Sequence, residues 1–163
     1  MKYKSIMALL CSATMIACNS AGKKADQTDD TPVIGKATVK VENGIMTPEV
    51  LYSFGRVTDV QVSPDKSKFL YGVTYVSIDQ NKTNRELFSM NLDGSDKKKI
   101  TQTAKSENNA VWIKGGAKIA FLSTESGSSQ IWEMNADGTG RKQISDIEGD
   151  INGFTFSPDE RKI

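Results

Sequence analysis

The stretch Met134–Ser145, MNADGTGRKQIS, restates Met90–Thr101, MNLDGSDKKKIT. Both open on Met-Asn, carry Asp-Gly at the fourth and fifth places, continue with basic residues and close on Ile plus a hydroxyl residue. The match extends well beyond these words. Met90 to Met134, Gly94 to Gly138 and Ile100 to Ile144 each step by 44 residues, as do Trp112 to Phe156 and Ile119 to Ile163. Val62 to Trp112 and Tyr71 to Phe121 step by 50, and the surplus of six falls in VSIDQNKTN, where a hairpin loop can lengthen. The units so defined run over 57–101, 102–145 and 146–163.

Within each unit the pieces recur in one order. A first strand runs into Ser-Pro-Asp or its equivalent, a second reads like KIAFLS, and a third like QIWEMN. An Asp-Gly turn and a short last strand such as KQIS complete it. Asp-Gly between two such runs is expected to supply the positive φ angles of a tight hairpin. A period near 44 with four short strands predicts an all-β fold of WD-like, Tol-type β-propeller blades: two complete blades and the start of a third. A β-sandwich with evenly spaced hairpins is the alternative, but it gives no reason for word-level repetition in fixed register. FTFSPDERKI opens the third unit, and the expectation is that the sequence is the front portion of a longer protein.

Charge and composition exclude several function classes. Against 21 Lys and Arg stand 20 Asp and Glu, so no basic surface points to nucleic acid. Histidine is absent, so neither a Ser-His-Asp triad nor an imidazole zinc site can be assembled from this chain. No cofactor motif is present.

Both cysteines, Cys11 and Cys18, lie at the start of the chain. Lys2 and Lys4 precede an apolar run from Ile6 to Ala17, the layout of a secretory signal, and the run is short for a membrane-spanning helix. MIAC resembles the bacterial lipobox, which implies cleavage after residue 17 and a diacylglycerol thioether on Cys18. An ordinary secretory signal, with Cys18 as a small apolar residue, is the other reading; the polar sequence beginning at Asn19 favours the anchor. Residues 1–17 are thus expected to be a lipoprotein signal, and 18–45 a lipidated cysteine and flexible tether, in which KATVKVE alternates like a strand. Residues 46–56 form a short lead-in helix, with Thr47 as N-cap, Pro48 at the first helical position and Gly55 as stop. Attachment to the membrane would rest on acyl chains, and the expected location is the outer membrane, on its periplasmic face or the cell surface.

The pattern SPD…KI-F…QIW-MNADG…R-QIS resembles the repeat of the periplasmic Tol-system propeller and of the N-terminal domains of prolyl-oligopeptidase-type serine peptidases. MTPEVLYSFGRVTDVQVSPDKSKFLYGV is similar to the start of the propeller in the dipeptidyl-peptidase and acylaminoacyl-peptidase branch of those enzymes, and NKTNRELFSMNLDGS continues the likeness. The resemblance covers about residues 46–163. It implies an exported, lipid-anchored exopeptidase acting on peptides, whose propeller gates access to an α/β-hydrolase domain with its nucleophile on a Gly-x-Ser-x-Gly elbow. That elbow is not in these residues, so no catalytic residue is carried over; STESGSS at Ser123–Ser129 reads as a loop. A non-enzymatic envelope propeller binding proteins or glycans is the rival reading. The family's turn usually reads Ser-Pro-Asp-Gly, whereas this chain has SPDK at Ser63–Lys66, SPDE at Ser157–Glu160, and IKGG in the middle unit.

Other constellations carry blander meanings. NLDGSD at Asn91–Asp96 opens like a calcium loop, but Gln102 holds the place of the bidentate glutamate, so a turn is expected and no metal. Asp29 and Asp30 read as solvated tether. Lys97–Lys99 reads as a charged outer strand that blocks edge pairing. Trp112, Trp132, Phe88 and Phe121 read as blade core, and Asn81–Thr83 as a sequon without consequence.

Overall fold

The computed structural model describes residues 32–163. The expected signal segment 1–17, Cys18 and the Asp29-Asp30 pair lie outside the described residues. Thr47 caps helix α1, Pro48–Ser53, its Oγ1 accepting from Val50 N–H at 3.3 Å. Phe54 already has extended backbone, and Gly55 lacks the positive φ of a helix stop. Its role is close approach: a Cβ there would come within 2.7 Å of Val73 Cγ1.

Two four-stranded antiparallel sheets follow. The first comprises β1 (Arg56–Val62), β2 (Lys68–Ser77), β3 (Lys82–Asn91) and β4 (Lys98–Lys99), in that order. The second comprises β5 (Asn108–Ile113), β6 (Lys118–Ser123), β7 (Gln130–Asn135) and β8 (Lys142–Gln143), again in chain order. Each sheet is a blade, and the repeated words fall on equivalent strands: KIAFLS is β6 and QIWEMN is β7. The KATVKVE stretch forms no strand.

The seam between the blades holds the main apolar core. Leu70, Leu87 and Ile100 of the first blade meet Ala110, Ile119, Phe121 and Met134 of the second, with Trp112 and Trp132 packed against them. Burying a side chain of that size contributes roughly 1.5–3 kcal/mol, so the seam is the largest apolar contribution in the fold. Equivalent residues turn to opposite neighbours. Phe121, Trp132 and Met134 face the first blade, while their counterparts Tyr71, Phe88 and Met90 form a second cluster on the first blade's other face, Tyr71 stacking on Phe88 at 5.7 Å. Each blade thus shows an aromatic face one way and an aliphatic face the other, which is why one module can stack repeatedly.

Three details depart from the sequence reading. The six-residue surplus lengthens strands rather than a loop: β2 and β3 have 10 residues each against 6 in β6 and β7. Pairing continues from Thr74↔Arg85 to Ser77↔Lys82 and closes in a tight turn in which Asn81 N–H donates to Ile78 C=O at 3.0 Å. Tyr75 and Val76, with high β propensity, extend the ladder instead of looping out. The Asp-Gly turns differ as well. Within each Asp-Gly pair the glycine alone takes positive φ, +84° at Gly94 and +90° at Gly138. Each glycine N–H donates to the asparagine C=O three residues back, and Asp93 and Asp137 accept through Oδ1 from Ser95 and Thr139 N–H, both at 2.9 Å. This is a type I turn followed by a left-handed glycine. Finally, no strand forms in 146–163. By the repeat, 152–157 stands at the place of β5 and Lys162 at the start of β6. One bond of the ladder between them is made, Ser157 N–H to Lys162 C=O at 2.9 Å, matching Ser63 to Lys68 at 2.8 Å.

Candidate functional site

The first strand of each blade is one edge of its sheet, and each is interrupted at the same place. Register shifts between Thr58 and Gln61 in β1 and between Asn108 and Val111 in β5. The left-handed residues are Asp59 (φ +52°) and Asn109 (φ +49°), side chains that tolerate this conformation. Such bulges blunt an edge against pairing with a stray strand. The first also aims Asp59 across β2 at Arg85 Nη2, with which it pairs. Gly72 makes that crossing possible, since a Cβ there would lie 2.3 Å from Arg85 Nε.

Arg85 begins the polar part of the seam. Its C=O accepts from Glu107 N–H at 3.0 Å, and its N–H donates to Ser106 Oγ at 3.1 Å. Next to it Glu86 is wholly buried. Thr101 Oγ1 donates to Glu86 Oε2 at 2.7 Å, while Lys99 Nζ, Thr103 N–H and Asn84 Nδ2 all reach Oε1 at 3.2 Å. Burial raises the Glu86 carboxyl above its ordinary range, and the Thr101 bond and Lys99 oppose it. Glu107, also wholly buried, accepts at Oε1 from Arg141 Nη2 (2.7 Å) and Thr103 Oγ1 (2.9 Å). Arg141 reaches Glu125 through Nε at 2.7 Å and Ser123 Oγ through Nη2 at 3.1 Å, with its guanidinium over the Phe121 and Trp132 rings. Burial lifts the Glu107 carboxyl to about 7, against the pull of Arg141.

The second blade repeats the device in uncharged form. Gln130 stands at the place of Glu86, 44 residues on, and Gln143 at that of Lys99. Ser145 Oγ donates to Gln130 Oε1 at 2.8 Å and accepts from Ile131 N–H at 2.7 Å, as Thr101 does with Glu86 and Leu87. Gln130 Nε2 donates to Ile147 C=O at 2.9 Å and Gly149 C=O at 3.1 Å, tying down the start of the third unit. Ile151 N–H to Ser129 C=O at 2.8 Å repeats the bond from Glu107 to Arg85.

The residues singled out from sequence fall as follows. Phe121 is fully buried in the seam and Phe88 lies in the second cluster, while Trp112 and Trp132 flank the seam. Lys98 and Lys99 are the outer strand β4, with Lys98 on Asp96 at 3.0 Å and Lys99 on Glu86. The 124–129 loop follows β6, and Ser123 ends that strand. Asn91–Asp96 is the first Asp-Gly turn. Sequence reading missed Glu86, Glu107 and Arg141. The step from Glu86 to Gln130 is 44 and was available as a signal, but the pairing of Glu107 with Arg141, 34 residues apart, had none.

The arrangement clamps one blade to the next through buried, hydrogen-bonded polar groups, and the fold is that of stacked β-propeller blades. The acylaminoacyl peptidase of Pyrococcus horikoshii shares it with a TM-score of 0.55 and 21% identity, over 68% of this chain and 17% of that one. In sequence the chain is a homologue of proteins named Dipeptidyl-peptidase 5. The Porphyromonas gingivalis protein is 45% identical over 136 residues, 80% of this chain and 20% of that protein. The Porphyromonas endodontalis protein is 33% identical over 122 residues, 75% of this chain and 18% of that protein. The chain therefore spans about a fifth of the length of these curated relatives. No family model matches it. The resemblance to prolyl-oligopeptidase-type peptidases and the propeller reading both hold.

Proposed function

We propose that this chain forms propeller blades of an exported, lipid-anchored serine peptidase that removes dipeptides or acylated residues from peptide N-termini. The observation that carries this reading is the 45% identity to Dipeptidyl-peptidase 5 across four-fifths of the chain. The blades supply walls and not chemistry. Stacked through the seam, they restrict an α/β-hydrolase domain of the whole protein to short or unfolded peptides, and that domain performs the acyl transfer. Diacylglycerol on Cys18 holds the protein at the outer membrane.

The test uses the complete gene product that carries this sequence, assayed on chromogenic dipeptide substrates with and without a serine-directed inhibitor. Inhibitor-sensitive release of chromophore is expected, and none from residues 19–163 alone. A complete product that binds envelope proteins or glycans and hydrolyses nothing overturns the reading in favour of a binding propeller. Palmitate labelling is expected to vanish in C18S; label that persists refutes the anchor.

A further inference from the structure

The six-residue surplus of the first blade serves neither the seam nor the blade core. The pairs Val73↔Glu86 and Ser123↔Gln130 are equivalent, yet twelve residues lie within the first and six within the second. β1 follows β2 only as far as Arg56↔Thr74, and β4 pairs with β3 only at Phe88 and Ser89. The ladder Tyr75↔Asn84, Val76↔Thr83, Ser77↔Lys82 therefore stands beyond the sheet as a two-stranded arm, with no strand along either side among the described residues.

The base of the arm is fixed. Asn84 is buried and donates through Nδ2 to Thr103 C=O at 2.8 Å, and Tyr75 lies so close to Gly55 that a Cβ there would be 3.0 Å from Tyr75 Cε1. The tip is open: Ile78 is 50% exposed, and 79–82 are exposed as well. An open groove of about 560 Å³ runs beside it, with Val33, Tyr52, Val76 and Ile78 among its lining. A two-stranded hairpin is marginal in water, and unpaired edges are a liability, so the arm gains only from a surface laid against it.

Strand order says which surface that is. Neighbouring strands are antiparallel in the order β1-β2-β3-β4, so the chain enters a blade at the start of its first strand and leaves it at the end of its fourth, both at one end of the sheet. The β2–β3 turn lies at that end, and the β1–β2 turn, with Lys66, at the other. Every blade stacked by this rule hands the chain on at the arm end, and a domain joined after the last blade is attached there.

We propose that the arm, residues 75–84, is a strut that the first blade lays against the α/β-hydrolase domain of the whole protein, with Ile78 seated among apolar side chains of that domain. This rests on the peptidase reading and adds to it the contact that fixes how the two domains face each other. Three residue pairs carry the strut about 10 Å past Thr74. The second blade turns at 124–129 and has no such reach.

The experiment places the photo-cross-linker p-benzoylphenylalanine at Ile78 in the complete gene product, and at exposed Lys66 as the control for the opposite end. After irradiation, peptide mass spectrometry should join position 78 to a hydrolase-domain peptide of the same chain, and position 66 to none. Should the product labelled at Ile78 not fold, exposed Gln80 takes the label. A link from the tip to a second copy, seen as doubled mass, or to the blades alone overturns the strut. So does a hydrolase link from position 66 as strong as that from the tip. Inhibitor-sensitive hydrolysis without the expected link overturns the strut and leaves the peptidase reading standing, whereas a product that hydrolyses nothing overturns both.

Discussion

Gly94 and Gly138 occupy the same place in two copies of one turn, with φ of +84° and +90°, yet alanine should affect them very differently. A Cβ on Gly94 would meet nothing within 4 Å. At Gly138 it would lie 2.3 Å from the Ile100 carbonyl oxygen, 3.1 Å from its carbon and 3.3 Å from its Cα. Those atoms cannot swing aside as a side chain would, because Ile100 is buried in the seam and its N–H is bound to Leu87 C=O at 2.9 Å. G94A therefore carries only left-handed strain, about 1 kcal/mol. G138A carries the same strain plus overpacking against fixed backbone, a further ~1–3 kcal/mol. With a urea slope of about 1–3 kcal/mol per molar, the midpoint should fall by about 0.5 M for G94A and by about 1 M or more for G138A. Equal shifts in the two variants would refute the claim that the second blade's turn is seated on the backbone of the first.

Two further outcomes test the repeat itself. Lys66 is exposed and sits at φ +58°, where the middle unit has Gly116 at +94°, so K66G should gain up to ~1 kcal/mol in urea unfolding while K66A gains nothing. Q130E should cost about 3 kcal/mol by burying a carboxylate without a cation, and adding Q143K should recover a third or more of the loss through the pairing seen between Glu86 and Lys99; a double variant no better than Q130E alone would break the equivalence.

What was legible in the sequence was what the module repeats locally. KIAFLS and QIWEMN alternate for one strand each, Asp-Gly marks the turn, and Phe121 and Trp132 read as core because they fall in those strands. Conformations that depend on a distant neighbour were not legible. Gly55 looks like a helix stop but is small because Val73 lies against it. VSIDQNKTN looks like loop, yet Tyr75 pairs with Asn84. Asp59 and Asn109 sit inside strand-like runs, and nothing in VTDVQV or NNAVWI alone announces a bulge. The shared αL tolerance of Asp and Asn at a 50-residue step was the available clue. Glu107 and Arg141 meet only because one blade stacks on the next.

The comparison of Glu86–Lys99 with Gln130–Gln143 shows what the repeat preserves. Charge is not kept: one copy uses a carboxylate with a lysine and the other two amides. Kept is a side-chain oxygen on the third strand that accepts from a hydroxyl fifteen residues on, while that hydroxyl accepts from the next backbone N–H. The same oxygen-bearing side chain also accepts a backbone N–H from the linker to the following unit, Thr103 in one case and Ile147 in the other. The bond therefore joins the outer strand, the third strand and the connection to the next blade at one buried point, and any acceptor of glutamine's shape can serve. Where the acceptor is Glu86, burying its charge requires Lys99; where it is Gln130, no cation is required and Nε2 is free to bind two carbonyls of the third unit instead. The repeat is thus a repeated hydrogen-bond geometry, and the copy that carries a carboxylate with its lysine is the first, where Glu86 and Glu107 share Thr103.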